Sequence, residues 1–286
     1  MHCTTEKPPP PIDPTKNAAT QMADEALLQA RMLAIRQRLF VLSGKGGVGK
    51  STVAVNLAIA LARHGRRVGL LDVDVHGPSI PTLLRVPDGR IRVQGNTMLP
   101  VEGGPGLKLM SIGYLTTSGS DAIVWRGPRK HSVIRQFLSD VRWGELDYLV
   151  VDCPPGTGDE PLAVVQLAGE PAAAVVVTTP QEVAVADVRR CLTFCHQVDL
   201  PIAGLVENMS GFVCPHCGHA VDLFGAGGGE SLAREAGVPL LGRIPFDPAV
   251  VAGGDAGSPF AMLDADTPTT RAFHGIVDRL LGIEVS

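Results

Sequence analysis

The chain has 286 residues, of which 45% are hydrophobic, so it is long and apolar enough to fold around a large core, which excludes wholesale disorder. Its 25 basic residues are outnumbered by 29 acidic ones, and the net charge of −4 argues against a dedicated nucleic-acid-binding protein. The six cysteines are too few and too irregularly spaced for a disulfide framework, and no apolar run reaches the roughly 18 residues that span a bilayer.

Residues 1–23 are predicted to form a flexible, proline-rich tail. Four consecutive prolines at positions 8–11 favour extended, solvated chain. The segment lacks the basic start and apolar core of a secretory signal, so a cytoplasmic location is predicted. Residues 24–286 contain no repeat and no linker, and we interpret them as one domain.

Apolar segments of strand length alternate with helical patterns along this domain. A helix over 24–38 is followed by a strand over 39–42, a glycine-rich loop over 43–49 and a second helix. This alternation is typical of an α/β protein with a mostly parallel, doubly wound sheet, which is the three-layer fold of P-loop NTPases. Further strands are predicted at 68–74, 107–113, 146–152, 172–179, 201–208 and 239–245, and further helices at 129–140, 159–169, 181–198 and 228–236.

The glycine-rich loop fits the phosphate-binding pattern G-x-x-x-x-G-K-[ST] between a strand and a helix. Glycines allow backbone N–H groups to surround a polyphosphate, and the N-terminus of the following helix adds partial positive charge. Lys50 is predicted to reach the β- and γ-phosphates, and the Ser51 hydroxyl is predicted to bind Mg²⁺. The predicted nucleotide-binding residues of the loop are Gly44, Lys45, Gly46, Gly47, Val48, Gly49, Lys50, Ser51 and Thr52.

Three aspartates follow strands of the predicted sheet. Asp72 and Asp74 close the second strand, and Asp152 ends a later apolar strand. Ligands of open α/β sheets bind beyond the carboxyl ends of the strands, so all three carboxylates are expected near one nucleotide. Asp152 is predicted to hold Mg²⁺ through water, and the glycine-rich segment after it to sense the γ-phosphate near Gly156.

Cys214 and Cys217 form a C-x-x-C pair, which supplies half of a four-ligand metal site. Three interpretations remain open at this point: a zinc ribbon that recruits His216 or His219, a redox dithiol, or a [4Fe–4S] cluster that two copies complete across a two-fold axis. Cys153, Cys191 and Cys195 are predicted to be buried packing residues.

The string KGGVGKST at 45–52 resembles the deviant phosphate loop of the nitrogenase iron protein and MinD-like class. Together with LLDVDVHGPS, IVWRGP, VVDCPPGTGDE, VENMSGFVCPHCGH and LLGRIPFDP, in this order, it resembles the Mrp/ApbC/Nbp type of iron–sulfur carrier ATPase. The resemblance covers residues 38–255. In that class the extra lysine, here Lys45, reaches the partner's nucleotide.

The resemblance implies a homodimer that hydrolyses ATP with Mg²⁺, holds a [4Fe–4S] cluster and transfers it to apo iron–sulfur proteins. It assigns Asp74 to the attacking water and Asp72 to support of the metal. Asn208, Pro245 and Asp247 are implied contacts of the base, and ATP is favoured because no guanine-reading N-K-x-D motif occurs. The main alternative is a MinD/ParA-like positioning ATPase, which requires a membrane-targeting helix or a basic DNA-binding face. The C-terminal helix is amphipathic, but its basic residues are offset by acidic ones, so it is expected to pack on its own domain. Its apolar side carries Phe273, Ile276, Val277, Leu280 and Leu281.

Overall fold

The computed structural model describes residues 18–74, 77–86, 91–115, 127–214, 217, 219–259 and 266–282. Its helices are α1 (Ala18–Leu33), α2 (Lys50–Arg63), α3 (Ile80–Leu84), α4 (Gly127–Ser139), α5 (Asp159–Ala168), α6 (Glu182–Gln197), α7 (Gly228–Ala236), α8 (Pro248–Ala256) and α9 (Pro268–Gly282). Its strands are β1 (Ile35–Ser43), β2 (Val68–Asp72), β3 (Arg92–Gln94), β4 (Thr97–Leu99), β5 (Val101–Gly104), β6 (Leu107–Ser111), β7 (Leu146–Asp152), β8 (Ala172–Thr178), β9 (Ile202–Glu207), β10 (Phe212–Val213), β11 (Ala220–Val221) and β12 (Leu240–Arg243).

The main sheet has eight strands in the order β12-β9-β8-β1-β7-β2-β6-β5. All neighbouring strands are parallel except β5 and β6, which are antiparallel at one edge. The alternation of strands and helices correctly predicted this mostly parallel arrangement. Between β2 and β6 the chain forms α3, the antiparallel pair β3–β4 and β5.

Helices cover both faces of the sheet. Along β1, Leu39 and Val41 pack into the core beneath α2, α3 and α9, whereas Phe40 and Leu42 pack into the core beneath α1, α4, α5, α6 and α7. This alternation follows from the two-residue period of a strand. The result is a three-layer structure in which the central strands are buried on both sides.

The N-terminal part of the domain differs from the prediction. Helix α1 begins at Ala18, so residues 18–23 are helical and not part of an extended tail; residues 1–17, including Cys3, lie outside the described residues. The helix ends at Leu33, and residues 35–38, predicted as helix, extend β1. They do so because Ile35 pairs with Leu146 of β7 and the backbone N–H of Arg38 donates to the carbonyl oxygen of Pro171.

Parts of three predicted motifs are not described. Val75 and His76 of the second motif, residues 123–126 of IVWRGP, and residues 215, 216 and 218 beside the cysteines lie outside the described residues. Among the described helices, none is both long and apolar enough to cross a bilayer.

Candidate functional site

The phosphate loop connects β1 to α2, and three of its glycines, Gly44, Gly47 and Gly49, disfavour a side chain. A Cβ at Gly44 would lie 2.3 Å from the backbone carbon of Asp187, because α6 packs directly against the loop. Gly47 and Gly49 have φ angles of 80° and 81°, in the left-handed region that favours glycine. The tight loop therefore places the N-terminus of α2 at the carboxyl edge of the sheet.

A cavity of about 250 Å³ lies above this loop. It brings together most of the residues predicted to bind nucleotide phosphates, with Lys45 half-buried at its wall. Among the described residues, the Lys45 side chain forms no ion pair. The lining residues are Ser43, Lys45, Gly46, Gly47, Gly49, Lys50, Ser51, Thr52, Asp74, Ser79, Leu83 and Pro155.

Lys50 joins the loop to the carboxylates. Its Nζ donates to Oδ1 of Asp152 at 2.6 Å and lies 4.0 Å from Oδ2 of Asp74. Lys50 and Asp152 are 6% and 0% exposed, so this ion pair is shielded from water. Lys50 therefore lies between Asp74 and Asp152, so the two carboxylates stand beside the phosphate loop at the same edge of the sheet.

Asp152 keeps one carboxylate oxygen available at this site. Its Oδ2 is buried and has no hydrogen-bond partner among the described residues. Burial raises the pKa of Asp152, while Lys50 and the nearby Ser51 hydroxyl lower it. A buried oxygen beside a hydroxyl is a donor set that suits a hard divalent cation, so the residues present fit Mg²⁺.

Asp72 is engaged by the protein on both oxygens. Oδ1 accepts from the backbone N–H of Asp74 at 3.1 Å, and Oδ2 accepts from the Ser111 hydroxyl at 2.8 Å. Complete burial and then the neighbouring Asp152 raise the pKa of Asp72 to about 8. Asp72 therefore fixes the backbone of Asp74, and of the three aspartates it has the least support as a metal contact.

The glycine-rich segment after β7 contacts the loop as well. The backbone N–H of Gly156 donates to the carbonyl oxygen of Ser43 at 2.9 Å, and Pro155 lines the cavity. The N–H predicted to sense the γ-phosphate is thus bonded to the end of β1 in this structure. Gly156 has a φ of 90°, so the turn depends on glycine.

A second cavity of about 200 Å³ adjoins the first and shares Gly49, Thr52 and Leu83 with it. It is lined by all three predicted base contacts, Asn208, Pro245 and Asp247. Nδ2 of Asn208 donates to the carbonyl oxygen of Val48 at 2.9 Å, which ties this wall to the phosphate loop.

Asp247 also has a structural role in the fold. Its Oδ1 accepts from the backbone N–H of Ala249 and caps α8, while its Oδ2 accepts from the Thr269 hydroxyl at 2.8 Å. Both oxygens are therefore occupied by the protein.

The two cysteines of C-x-x-C lie at the tip of a short antiparallel hairpin. We call β10, β11 and the cysteines between them the cysteine hairpin. The backbone N–H of Cys214 donates to the carbonyl oxygen of His219 at 2.9 Å, closing the hairpin. Cys214 is half-buried, Cys217 is exposed, and neither forms a disulfide.

No group of three or more His, Cys, Asp or Glu side chains close enough to hold a metal occurs in the described parts of the chain. Cys214, Cys217 and His219 therefore do not assemble a zinc ribbon within one chain; His216, the other candidate, lies outside the described residues. Cys153, Cys191 and Cys195 are all buried, which confirms that they are packing residues.

Sequence reasoning missed two residues that hold the cysteine hairpin, Glu207 and Phe246. Glu207 is fully buried and bonds both Ser210 and Gly229, and Phe246 packs against Phe212 and Phe224. Their only sequence signal is adjacency, since Glu207 precedes Asn208 and Phe246 follows Pro245. The contacts join segments that are separated along the chain, so no local pattern reveals them.

Residues 34–281 match the ParA-class family described as NUBPL iron-transfer P-loop NTPases. The chain is 52% identical over 252 residues to the bovine cytosolic Fe-S cluster assembly factor NUBP2, covering 86% of this chain and 93% of that protein. It is 48% identical over 257 residues to the iron-sulfur cluster carrier protein of Methanocaldococcus jannaschii, covering 90% and 88%.

Solved structures agree with this. The nucleotide-binding protein of Archaeoglobus fulgidus, solved with ADP and containing cobalt, shares 42% identity and a TM-score of 0.72, covering 82% of this chain and 91% of that one. The cell division ATPase MinD of Pyrococcus furiosus, at 24% identity and a TM-score of 0.62, shares the fold. These likenesses confirm the predicted P-loop fold and the predicted resemblance, and the chain belongs to the family of NUBPL-type iron-transfer P-loop NTPases.

Proposed function

We propose that the protein is an ATP-hydrolysing carrier that holds a [4Fe–4S] cluster between two copies of the chain and transfers it to apo iron–sulfur proteins in the cytoplasm. The observation that carries the proposal is a pair of cysteines near the surface of a hairpin, without a disulfide among the described residues, in a domain that also has a phosphate loop. Relatives named as cluster carriers and as a cytosolic assembly factor support it.

The nucleotide is ATP in this proposal, with its phosphates in the cavity above the loop and its base in the adjoining cavity. The bond from Nδ2 of Asn208 to the carbonyl oxygen of Val48 fixes the side-chain amide, whose carbonyl oxygen and second N–H remain for the base. In this proposal the carbonyl oxygen accepts from the exocyclic amine of adenine. Pro245 and the aromatic and aliphatic wall supply the apolar contact.

Hydrolysis requires groups that neutralise the transferred phosphoryl group and orient water. Lys50 is positioned at the floor of the cavity, and Asp74 beside it orients the attacking water. Ser51 and Asp152, the latter through water, would hold Mg²⁺, which neutralises phosphate charge when bound. Lys45 is a half-buried cation at the wall, and we assign it to the partner's nucleotide.

The cysteine pair supplies two thiolates, and an iron–sulfur cluster of this type takes four. Cys217 is exposed and Cys214 half-buried, so both are near enough to the surface to face a second copy. A two-fold axis between two hairpins gives four cysteines without any further residue of the chain. ATP-dependent closure of the dimer then changes the spacing of the two pairs and with it the affinity for the cluster.

The alternative, a MinD/ParA-like positioning ATPase, is less favoured. Its membrane anchor would have to be the amphipathic C-terminal helix α9. The apolar residues of α9, Phe273, Ile276, Val277 and Leu280, are buried in the core of the domain and are not presented to a surface. That alternative also leaves the cysteine pair without a role.

The proposal is tested by anaerobic reconstitution with iron and sulfide, comparing the wild type with the double variant Cys214→Ala/Cys217→Ala. We expect about four irons per dimer in the wild type and none bound stably in the variant. The matched control is Cys191→Ala/Cys195→Ala, which also removes two thiols but from the buried core. Equal iron binding by the wild type and the Cys214/Cys217 variant would refute the carrier function.

A further inference from the structure

Two residues outside the cysteine hairpin, Glu207 and Phe246, each contact both sides of the segment that carries it, and a backbone bond from the N–H of Ser210 to the carbonyl oxygen of Ile244 adds a further attachment. The segment between β9 and α7 leaves the sheet after Glu207 and returns at Gly228. It carries both cysteines of the proposed cluster site. The contacts that hold the two ends of this segment therefore determine the positions of the Cys214 and Cys217 side chains.

Glu207 bonds both ends of this segment. Its Oε1 accepts from the Ser210 hydroxyl at 2.5 Å at the exit from the sheet, and its Oε2 accepts from the backbone N–H of Gly229 at 2.5 Å at the return. The carboxylate is fully buried at the carboxyl end of β9, and Nε of Arg243 lies 3.5 Å from Oε1. Charge-assisted bonds in a shielded site are among the strongest that side chains form.

Two glycines at the start of α7 allow its backbone to come close to the Glu207 carboxylate. A Cβ at Gly229 would lie 2.8 Å from Oε2 of Glu207, and one at Gly228 would lie 2.3 Å from the carbonyl oxygen of Pro180. Only glycine permits the backbone N–H to come this close. The negative charge also stands at the N-terminus of α7, where the helix dipole stabilises it.

Phe246 makes the second attachment, again to both sides of the hairpin. Its ring meets Phe212 of β10 edge-on with centroids 6.1 Å apart, and meets Phe224, after β11, at 5.9 Å. The backbone N–H of Phe246 donates to the carbonyl oxygen of Gly211 at 2.8 Å. The ring of Phe246 thus lies between Phe212 and Phe224 and opposes a rotation of the cysteine hairpin relative to the domain.

Each attachment residue is the chain neighbour of a residue in the proposed base cavity. Glu207 precedes Asn208, and Phe246 follows Pro245 and itself lines that cavity. Two short backbone segments, 207–208 and 245–246, therefore contribute both to the base cavity and to the attachment of the cysteine hairpin. A shift of either piece moves both sites.

We propose that Glu207 and Phe246 are positioning residues that set the place of Cys214 and Cys217 relative to the base cavity. This inference rests on the proposed function, because it assigns a purpose to the cysteine site. It adds that the carboxylate and the aromatic ring hold the half-site in the geometry that a tetrahedral thiolate centre requires. Neither residue is a proposed metal ligand, and neither lines the cavity above the phosphate loop.

The test compares Glu207→Gln and Phe246→Ala with the wild type in the full-length protein. Hydrogen exchange at backbone amides between residues 210 and 228 is expected to accelerate at least about tenfold, the equivalent of one lost bond to a charged group. Exchange in the phosphate loop is expected to stay unchanged. Phe246→Tyr, which keeps the ring, is expected to restore the wild-type rate.

Glu230→Gln is the matched control, because Glu230 also pairs with Arg243 but is exposed and bonds neither end of the segment. Ser210→Ala removes only the exit bond, so combining it with Glu207→Gln should add less than the sum of the two effects. Unchanged exchange between 210 and 228 in Glu207→Gln and Phe246→Ala, or an equal change in Glu230→Gln, would overturn the proposal.

Binding of Co²⁺ alone supplies the second readout, because thiolate–Co²⁺ absorption reports tetrahedral sulfur coordination. We expect about tenfold weaker binding and a weaker thiolate band in both variants. A wild type without any cysteine-dependent band would refute the cluster site itself, whereas the exchange measurement tests the positioning residues with no metal present. The two failures are therefore distinguishable.

Discussion

The phosphate loop and the cysteine hairpin differ in how much of their site one chain contains. The loop is anchored between β1, α2 and α6, and its Lys50–Asp152 pair is almost fully buried. The cysteine hairpin contacts the domain through Glu207 and Phe246. Its tip carries the half-buried Cys214 and the exposed Cys217, which offer one sulfur ligand each. The comparison teaches that the phosphate loop is built into the core of one chain, whereas the cysteine hairpin offers only half of the four ligands that the proposed cluster needs.

The largest effect is expected for Lys50→Ala. ATP turnover should fall by about 10³-fold, and the unpaired buried carboxylate of Asp152 should cost about 3–5 kcal/mol of unfolding free energy. Denaturant unfolding and phosphate release measure the two quantities. Iron binding by the cysteine hairpin should persist in the folded variant.

Lys45→Ala is the matched control for stability, because Lys45 belongs to the same loop yet forms no ion pair with any described residue. Its unfolding free energy should stay within about 0.5 kcal/mol of the wild type. If Lys50→Ala is as stable as Lys45→Ala, the buried pair does not hold the loop to β7.

Asp74→Ala should separate binding from hydrolysis within the nucleotide site. Because Asp74 is assigned to the attacking water, turnover should fall by about 10²-fold while affinity for ATP changes little. A fluorescent ATP analogue measures the affinity, and a phosphate-release assay measures the turnover. Undiminished turnover would remove Asp74 from the mechanism.

Thiol alkylation contrasts the two regions directly. Burial raises the pKa of the Cys153 thiol well above its ordinary value, so raising the pH to about 9 should produce little thiolate there. In the native protein Cys217 should react at least about a hundredfold faster than Cys153, as followed by peptide mass spectrometry. All cysteines should react alike in denaturant, and equal native rates would contradict the buried placement.

The smallest effect concerns one glycine of the loop. Gly49→Ala places a Cβ 2.3 Å from Nδ2 of Asn208 at a φ of 81°, which should cost about 1–3 kcal/mol of unfolding free energy. Gly46→Ala meets no atom within 4 Å and should cost less than about 0.5 kcal/mol. Thermal or denaturant unfolding compares them, and similar losses would argue against a strained contact between loop and base cavity.

The candidate nucleotide site was largely predictable because its residues lie in short motifs. Lys50 could be assigned from the phosphate-loop pattern, and Asp74 and Asp152 from the rule that carboxyl ends of parallel strands share one edge. The start of β1 was not predictable, since Arg36, Gln37 and Arg38 are poor strand formers that pair only because β7 and Pro171 supply partners.

The C-x-x-C pair was equally visible as a motif, but the two residues that attach the cysteine hairpin to the domain were not. Glu207 and Phe246 act through Ser210, Gly229, Phe212 and Phe224, and these contacts depend on how β9, β12 and the hairpin meet in space. The hydrogen bond from Ser111 to Asp72 was likewise not predictable, because Ser111 lies on the neighbouring strand β6, and the role of Asp72 in supporting a metal stays a prediction.

The central claim, a cluster shared by two copies, is tested most directly by native mass spectrometry of the anaerobically reconstituted protein. The account predicts a dimer whose mass exceeds that of two chains by one [4Fe–4S] cluster, and predicts that Cys214→Ala/Cys217→Ala carries none. A cluster or metal bound to the monomer alone, with the dimer free of it, would contradict the claim.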